Sequence, residues 1–284
     1  MTGPRLRVVS DFHVDVNCKT PREIVVDRDF DVLVVAGDVC EGPATAVEWL
    51  DNVGVWRDKP IVFVPGNHEF YGQRIDRAIA EGRFAAERTG GHVSFLSCDS
   101  VVLDTPRGAA RFVGATLWTD YNLFGQPKNA MRAAMAMNDH HLILVDQMHN
   151  PRPRHFMPLD ALARHRADLA AIDRLTLEPF DGPTVVVTHH GVSPSAIVEK
   201  YRTDPVTPAF FSDLDDFVAQ MPTRGVRLWV HGHTHSSARC APNGVEMVCN
   251  PIGYALRNGA WENPDFDPKL TIDVGVTPAY EKDR

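Results

Sequence analysis

Five short groups of carboxylate, imidazole and amide side chains are spread along this sequence, each directly after an apolar run. Imidazole nitrogens with carboxylate and amide oxygens, and without thiolates, are ligands that suit Mn, Fe or Zn. The groups therefore indicate a site for such metal ions. They are Asp11-Phe12-His13, Gly37-Asp38, Gly66-Asn67-His68-Glu69, Thr188-His189-His190-Gly191 and Gly232-His233-Thr234-His235.

The last group carries the most specific signal, because His231, His233 and His235 fall within five residues. Three core histidines in one tight turn would each need a hydrogen-bond partner of their own. By contrast, a single D-x-H triplet, a Gly-Asp pair or an Asn-His turn has little specificity by itself. The metal-site prediction therefore depends on all five groups occurring together in one chain.

The number of candidate ligands predicts two ions rather than one. A single ion in ordinary geometry cannot use all of them, whereas two ions that share Asp38 can. Such a pair would lie roughly 3.5–4 Å apart with a hydroxide held between the ions. The candidate ligands are Asp11, His13, Asp38, Asn67, His189, His233 and His235.

The apolar runs that precede the five groups predict buried strands of a largely parallel sheet. Ligands of open α/β sheets collect beyond the carboxyl ends of such strands, so we expect the groups to meet at one edge. Helical spacing predicts crossover and amphipathic helices over residues 43–56 and 74–88. The strand runs are residues 5–10, 30–36, 61–64, 183–188 and 226–230.

A second sheet, largely antiparallel, is expected after residue 90. Residues 93–96, 101–103 and 111–117 follow one another in hairpin order. Residues 236–240 and 245–249 should form another hairpin around Pro242-Asn243-Gly244. We therefore predict an α/β fold with a second sheet of hairpins.

Residues 121–179 are predicted to be a helical excursion that covers the site edge within a single domain of residues 1–284. Helices are expected over residues 131–140 and 159–177, with a proline-containing loop over residues 150–158, and a short helix over 211–220. The excursion holds five histidines without metal-ligand spacing, so packing or surface roles are expected for them. They are His140, His141, His149, His155 and His165.

Composition and charge narrow the class of protein. With 284 residues, 44% hydrophobic and 23% charged, the chain is typical of soluble globular proteins. No long apolar run or signal-peptide region is visible, so we expect a cytoplasmic location and no membrane partner. Five scattered cysteines without a C-x-x-C pair predict reduced thiols, mostly buried. A net charge of −8 argues against stable duplex nucleic-acid binding, although bound divalent ions would make the cleft electropositive.

In order and spacing, the motifs D-x-H, G-D, G-N-H-E, T-H-H-G and G-H-T-H resemble the calcineurin-like metallophosphoesterase superfamily. Further segments are similar to bacterial predicted phosphohydrolases: Trp118-Thr119-Asp120, His231 and Asn250-Pro251-Ile252-Gly253-Tyr254. The resemblance implies a four-layer αββα sandwich with two mixed β-sheets flanked by helices. It also implies a binuclear centre of Mn²⁺, Fe²⁺/Fe³⁺ or Zn²⁺ ions.

The resemblance also implies a role for each matched residue. Asp38 would bridge the ions, and His68 would be the catalytic imidazole that donates to the leaving oxygen. The implied catalytic residues are His68, Asp38 and Asn67, acting in an in-line attack by the bridging hydroxide. Asp11, His13 and His235 would hold the first metal, and Asn67, His189 and His233 the second.

Four further residues have alternative roles. Glu69 stands where many family members carry Asp, and it either orients His68 or is a solvated turn carboxylate. His190 and Tyr71 either contact the phosphate or leaving group, or serve packing. His231 fits a buried strand-end imidazole better than a ligand, because Gly232 separates it from the matched pair.

The leading functional hypothesis is a metal-dependent hydrolase of small phosphate mono- or diesters, with nucleotides among the candidates. A nuclease or phosphoprotein phosphatase is the alternative within enzymes, but a nuclease needs a basic groove and no dense Lys/Arg tract is present. A non-catalytic interaction module on the same fold is the alternative of another class. Every motif position retains a competent residue, which favours the enzyme. Substrate, metal identity and oligomeric state stay open.

Overall fold

Valine-rich runs form the strands of two large sheets in the computed structural model, which describes residues 3–17, 28–53 and 56–275. The strands are β1 (Arg5–Val9), β2 (Val32–Val35), β3 (Ile61–Phe63), β4 (Val93–Phe95), β5 (Asp99–Thr105), β6 (Gly108–Ala115), β7 (Leu144–Gln147), β8 (Asn150–His155), β9 (Thr184–Thr188), β10 (Val226–His231), β11 (Ala238–Cys240), β12 (Glu246–Cys249) and β13 (Thr271–Asp273). The α-helices are α1 (Val14–Asn17), α2 (Pro43–Asn52), α3 (Ile75–Glu87), α4 (Pro127–Ala134), α5 (Asp139–Leu142), α6 (Pro158–Leu177) and α7 (Asp215–Val218).

The first sheet has the order β13-β1-β2-β3-β4. Its strands β1 to β4 are parallel, and β13 is antiparallel to β1. The predicted hairpin order was wrong for β4, which pairs with β3 in this sheet. Helix α3 lies between β3 and β4 in the chain and provides the crossover that parallel pairing requires.

The second sheet has the order β11-β12-β10-β9-β6-β5. The prediction of a largely antiparallel sheet was wrong, because β6, β9, β10 and β12 are parallel neighbours. Only its edge pairs are antiparallel in the described part of the chain, with β5 against β6 and β11 against β12. The second of these pairs confirms the predicted hairpin around residues 242–244.

Alternate residues along the strands point to opposite faces of the sheets. They form three apolar layers, one between the two sheets and one between each sheet and its helices. In β1 and β2, Val8 and Val34 pack between the two sheets, whereas Val9 and Val35 face helices α2 and α3. This alternation follows from the two-residue period of a strand. Helix α6 packs on the outer face of the second sheet, where Ile172 joins strand residues. The order helix, sheet, sheet, helix confirms the predicted αββα sandwich.

The segment of residues 121–179 combines helices with a hairpin. Residues 150–155 form β8, which pairs with β7, so the predicted loop was wrong there. Prolines 151 and 153 are compatible with β8 because it pairs on one side only in the two-stranded sheet. Only part of the segment reaches the site, through residues 136–139. Helix α6 instead forms an outer layer of the sandwich.

Two sequence expectations concern cysteines and membranes. Cys40, Cys98, Cys240 and Cys249 are free thiols, of which Cys40 and Cys249 are buried; Cys18 lies outside the described residues. Among the helices that the structure describes, none is long and apolar enough to cross a bilayer.

Candidate metal centre

The five polar groups lie together at one edge of the sandwich, where strands of both sheets end. The first sheet supplies three groups and the second sheet supplies two. This placement follows from parallel pairing, which brings the carboxyl ends of neighbouring strands to the same edge. The groups follow β1 (Asp11, His13), β2 (Asp38), β3 (Asn67, His68), β9 (His189) and β10 (His233, His235).

Three side chains converge in a first ligand group. The Nε2 atoms of His13 and His235 are 3.0 Å apart, and His235 Nε2 lies 3.4 Å from Asp11 Oδ1. The ligand atoms of these three residues all lie within 4.8 Å of one another. Two imidazole nitrogens and a carboxylate oxygen directed at one point suit a divalent ion of the Mn, Fe or Zn type.

A second group adjoins the first. His189 Nε2 lies 3.0 Å from Asn67 Oδ1 and 3.2 Å from His233 Nδ1. Asp38 Oδ2 lies 3.3 Å from His189 Nε2 and 3.9 Å from His13 Nε2. One carboxylate thus stands between the two groups, which is the arrangement expected of a bridging ligand.

Five of these residues adopt left-handed backbone conformations. Each such non-glycine residue costs on the order of 1–2 kcal/mol. Hydrogen bonds from Asp11 N to Gly37 O (2.9 Å) and from His13 N to Asp38 O (3.0 Å) hold two of them. Strain concentrated at one place is typical of a functional site. The φ angles are 56° at Asp11, 44° at His13, 57° at Asp38, 73° at His233 and 45° at His235.

Glycines allow the turns to pack this closely. A Cβ atom at Gly66 would lie 2.1 Å from Asp38 Oδ1, and one at Gly232 would lie 2.7 Å from Asp11 Oδ2. Larger residues at these positions would displace the carboxylates. The glycines in the motifs therefore serve the ligand geometry directly.

The carboxylates and imidazoles of the candidate centre form ion pairs with one another even without metal ions. Burial alone would lower the pKa of His189, but Asp38 outweighs it and raises this pKa to about 9. Burial likewise opposes protonation of His235, yet hydrogen bonds with Asp11 and Glu262 raise its pKa to about 10. Burial would raise the pKa of Asp38, but nearby imidazoles, His189 above all, hold it well below its usual range. The centre thus stabilises ionised carboxylates.

Glu69 has a different role from the one predicted. Its buried carboxylate accepts hydrogen bonds from the backbone N–H groups of Asp38 (3.0 Å), Val39 (2.6 Å), Cys40 (3.3 Å) and Gly66 (2.6 Å). It is fully buried rather than solvated, and these bonds hold the Asp38 turn rather than the His68 ring. Neither alternative from the sequence matches these contacts, because three of the four donors come from the turn that follows β2.

Asn67 is oriented by two residues of its surroundings. Its Nδ2 donates to Tyr71 Oη (3.0 Å) and to Asp139 Oδ1 (2.8 Å), and Tyr71 Oη donates to the same carboxylate oxygen (2.8 Å). These bonds turn Asn67 Oδ1 toward His189. Tyr71 was predicted to contact substrate or to pack. Its ring packs in a buried apolar cluster and lines the cleft, and its hydroxyl serves this network. Sequence reasoning missed Asp139, since it lies 72 residues from Asn67 and outside any motif.

His235 also has a partner that the sequence did not indicate. Glu262 Oε2 lies 2.7 Å from His235 Nδ1, on the side of the ring away from Asp11. A carboxylate behind a ligating imidazole fixes the ring and its tautomer. Glu262 stands in a segment without regular structure, so no periodic signal marks it.

His68 faces the open cleft beside the two groups. Its backbone N–H donates to Asp38 Oδ1 (3.0 Å), and its Nε2 lies 3.4 Å from Tyr254 Oη and 4.0 Å from Asp38 Oδ2. Together with His13 and Asp38 it could also contribute to a metal group. The ring of Tyr254 lies beside that of His13, with centroids 4.5 Å apart.

Two predicted residues lie behind the site rather than in it. His190 is buried between Trp118 and His233, with ring centroids 5.2 and 4.4 Å away, and does not line the cleft. Burial lowers the pKa of His190 to about 3 and that of His231 to about 4. The predicted contact of His190 with substrate is therefore not met. His231 is a buried strand-end imidazole, as expected.

The cleft above the ligands has a volume of about 370 Å³. Its walls combine ligand side chains with residues 136–139, Tyr201 and Phe210. Carboxylates of Asp139 and Glu262 are among its lining groups, and none of the lining residues in the described chain is Lys or Arg. Without bound cations, the carboxylates in this wall would oppose the binding of a phosphate ester.

The αββα sandwich and the candidate metal ligands at its strand ends indicate the class of protein. The chain belongs to the calcineurin-like phosphoesterase family, whose profile matches residues 4–237. Membership in this family implies a phosphoric ester hydrolase that binds divalent metals.

Two known proteins are similar to most of this chain. An uncharacterised protein of Acanthamoeba polyphaga mimivirus is 24% identical over 293 aligned residues, covering 95% of this chain and 96% of that protein. The crystal structure of a phosphopantetheinyl hydrolase from Mycobacterium tuberculosis matches with a TM-score of 0.64 and 21% identity, covering 89% of this chain and 90% of that one. At this level of identity, the second comparison shows a shared fold.

Proposed function

We propose that this chain is a binuclear metal-dependent phosphoesterase that hydrolyses small phosphate mono- or diesters, nucleotides among them. The observation that carries the proposal is the convergence of seven ligand side chains in two groups that meet at Asp38. One ion could not engage all seven. A second ion gives each of them a partner.

The residues fit such ions. His13 Nε2 and His235 Nε2 face each other at 3.0 Å, and Asp11 Oδ1 lies 3.4 Å from His235 Nε2, so these three ligand atoms are close enough to bind one cation together. Asp11, His13 and His235 would hold one ion, Asn67, His189 and His233 the other, and Asp38 both. Bound there, divalent ions would polarise phosphoryl oxygens and lower the pKa of bound water.

His68 is the proposed proton donor to the leaving oxygen. It faces the cleft, and its backbone bond to Asp38 fixes its place beside the ligand groups. Burial and the nearby carboxylate of Asp38 raise the pKa of Tyr254, so its phenol stays protonated at neutral pH. The Tyr254 hydroxyl can therefore donate to His68 Nε2 or to a phosphoryl oxygen.

The shape and charge of the cleft favour small substrates over nucleic acid. A nuclease would need cationic side chains along a groove to hold successive phosphates. None of the cleft residues in the described chain is Lys or Arg, so most of the attraction for phosphate would come from the ions. The Mycobacterium tuberculosis protein of similar fold adds phosphopantetheinyl esters to the substrate classes worth assaying.

The test strips the protein of metal, restores Mn²⁺, Fe²⁺ or Zn²⁺, and compares p-nitrophenyl phosphate with bis-p-nitrophenyl phosphate. Metal-restored turnover should fall about 100-fold or more in Asp38→Ala and His68→Ala. His149→Ala is the matched control, because that histidine is exposed in the turn between β7 and β8.

Elemental analysis separates the outcomes. Two ions per chain with ester turnover would support the proposal, and the ratio of diester to monoester turnover would direct the substrate search. Two ions without turnover of any phosphate ester would favour the interaction module. A protein that retains no metal after reconstitution would contradict the proposal outright.

A further inference from the structure

A second cavity of about 190 Å³ adjoins the metal cleft. The two spaces share Tyr201, Phe210 and Thr234 in their walls. Phe210 stacks on His233, with ring centroids 4.3 Å apart and planes 25° apart. The cavity therefore begins directly beside a ligand of the second metal group.

The walls of this cavity are mainly apolar. Tyr201, Val206, Phe210 and Phe211 provide aromatic and aliphatic surface, to which the Thr207 side chain adds. Asp204 is the only carboxylate among its lining residues in the described chain, and none of them is Lys, Arg or His. Such walls favour an uncharged group and disfavour an anionic one.

The volume limits what can enter. An apolar cavity of about 150 Å³ is large enough to bind benzene. A cavity of about 190 Å³ therefore accommodates one aromatic ring with a small substituent. A long, flexible or multiply charged group would not fit inside.

We infer that this cavity binds the leaving group of the substrate, and that this group is uncharged, apolar and about the size of one aromatic ring. The inference rests on the proposed function, because the shared wall at Phe210 is what connects the cavity to a phosphoryl group in the metal cleft. Asp204 at the cavity wall would select against leaving groups that carry a carboxylate or a second phosphate.

Three non-hydrolysable phosphonates test this directly by calorimetry on the metal-loaded protein. Benzylphosphonate should bind about 10-fold or more tightly than methylphosphonate, because its ring removes apolar surface from water. 4-Carboxybenzylphosphonate should lose most of that gain. Stripping the metals should weaken all three, which locates the phosphonate group in the metal cleft.

Two variants, each with a matched control, test whether the ring binds in this cavity. Val206→Phe should fill the space and bring the benzyl-to-methyl affinity ratio close to 1, whereas Val102→Phe, on the exposed face of β5, should leave the ratio intact. Asp204→Asn should restore binding of the carboxybenzyl compound. The asparagine oxygen can still accept the bond from Val206 N (2.9 Å), and Asp181→Asn, at an exposed site, is its control.

Equal affinities for benzyl- and methylphosphonate, or a ratio that Val206→Phe does not change, would overturn the inference. Absence of binding by any phosphonate would do the same. The proposed function and this inference can fail independently. Equal turnover of alkyl and aryl esters would support the hydrolase and contradict the role of the cavity. Tight, Val206-dependent binding of benzylphosphonate without any ester hydrolysis would preserve the cavity and reject the hydrolase.

Discussion

At the scale of single residues, the geometry of the candidate centre depends both on the candidate ligands and on the side chains that orient them. Asn67 is an amide whose oxygen and nitrogen must not exchange places if the oxygen is to face a cation. Tyr71 and Asp139 enforce that choice by accepting from Asn67 Nδ2. Glu69 similarly holds the turn that presents Asp38.

Tyr71→Phe should weaken metal binding about 10-fold, because partners behind a ligand typically contribute that much to affinity. The phenyl ring retains the packing but no longer accepts from Asn67. Metal affinity is measured by competition with a chromogenic chelator. Tyr121→Phe removes a hydroxyl from the same apolar cluster and is the control. Equal metal affinity in both variants would show that the hydroxyl does not orient Asn67.

Glu69→Gln should lower the free energy of unfolding by roughly 3 kcal/mol. The NH₂ group of the glutamine would replace a carboxylate oxygen that accepts hydrogen bonds from backbone N–H groups. Each carboxylate oxygen accepts from two of the four backbone N–H groups, so two donors would lose their partner. Urea unfolding of the metal-free protein measures the change. Glu87→Gln, at the end of α3 on the surface, should change stability by less than about 0.5 kcal/mol. Comparable stabilities would contradict the assigned role of Glu69.

At the scale of elements, helix α6 supports the wall of the site through the end of β6. Asp168 on α6 accepts from Leu117 N (2.9 Å), and His165 Nδ1 lies 3.1 Å from Leu117 O. Leu117 and Trp118 have φ angles of 74° and 50°, so their backbone relies on such partners. The helix thus stabilises the turn that places Trp118 against His190.

Asp168 gives this contact a pH dependence. Burial raises the pKa of Asp168 to about 6, above its value in the unfolded chain. A raised carboxyl pKa favours folding at low pH, and that contribution is lost as the pH rises through about 6. The loss amounts to roughly 3 kcal/mol at most.

Asp168→Asn should therefore gain stability relative to the unsubstituted protein as the pH rises from about 4 to about 7, because the amide accepts from Leu117 N without a charge. Urea unfolding at several pH values measures the difference. Asp104→Asn, exposed on β5, should show no such trend. A difference that stays constant over this range would refute the titration of Asp168.

At the scale of the whole molecule, the candidate metal centre draws its side chains from both sheets. Asp11, His13, Asp38 and Asn67 come from the first sheet, and the remaining ligands come from the second. Ions held by both sheets would stabilise the folded chain, because unfolding separates their ligands.

Metal binding should therefore raise the stability by about 2.7 kcal/mol for each ion supplied at 100 times its dissociation constant. Thermal unfolding with and without Mn²⁺ or Zn²⁺ measures the shift. Chelation should reverse it, and Asp38→Ala should abolish most of it. A midpoint that responds equally to metal in the Asp38→Ala protein would contradict a shared bridging ligand.

Apolar periodicity and polar strand ends are local properties, so the sequence alone predicted the candidate ligand types, their order and the strands that end in them. It also predicted the αββα class through motif resemblance. Local periodicity does not encode the partner of a strand, which is why β4 and the direction of the second sheet were predicted wrongly.

Only the tertiary structure decided which groups support the ligands. Asp139 and Glu262 meet Asn67 and His235 through contacts between distant parts of the chain, and Glu69 meets backbone donors of a neighbouring turn. The apolar cavity beside the cleft likewise depends on how residues 201–211 pack against His233. Such contacts depend on long-range packing, which leaves no periodic signal in the sequence.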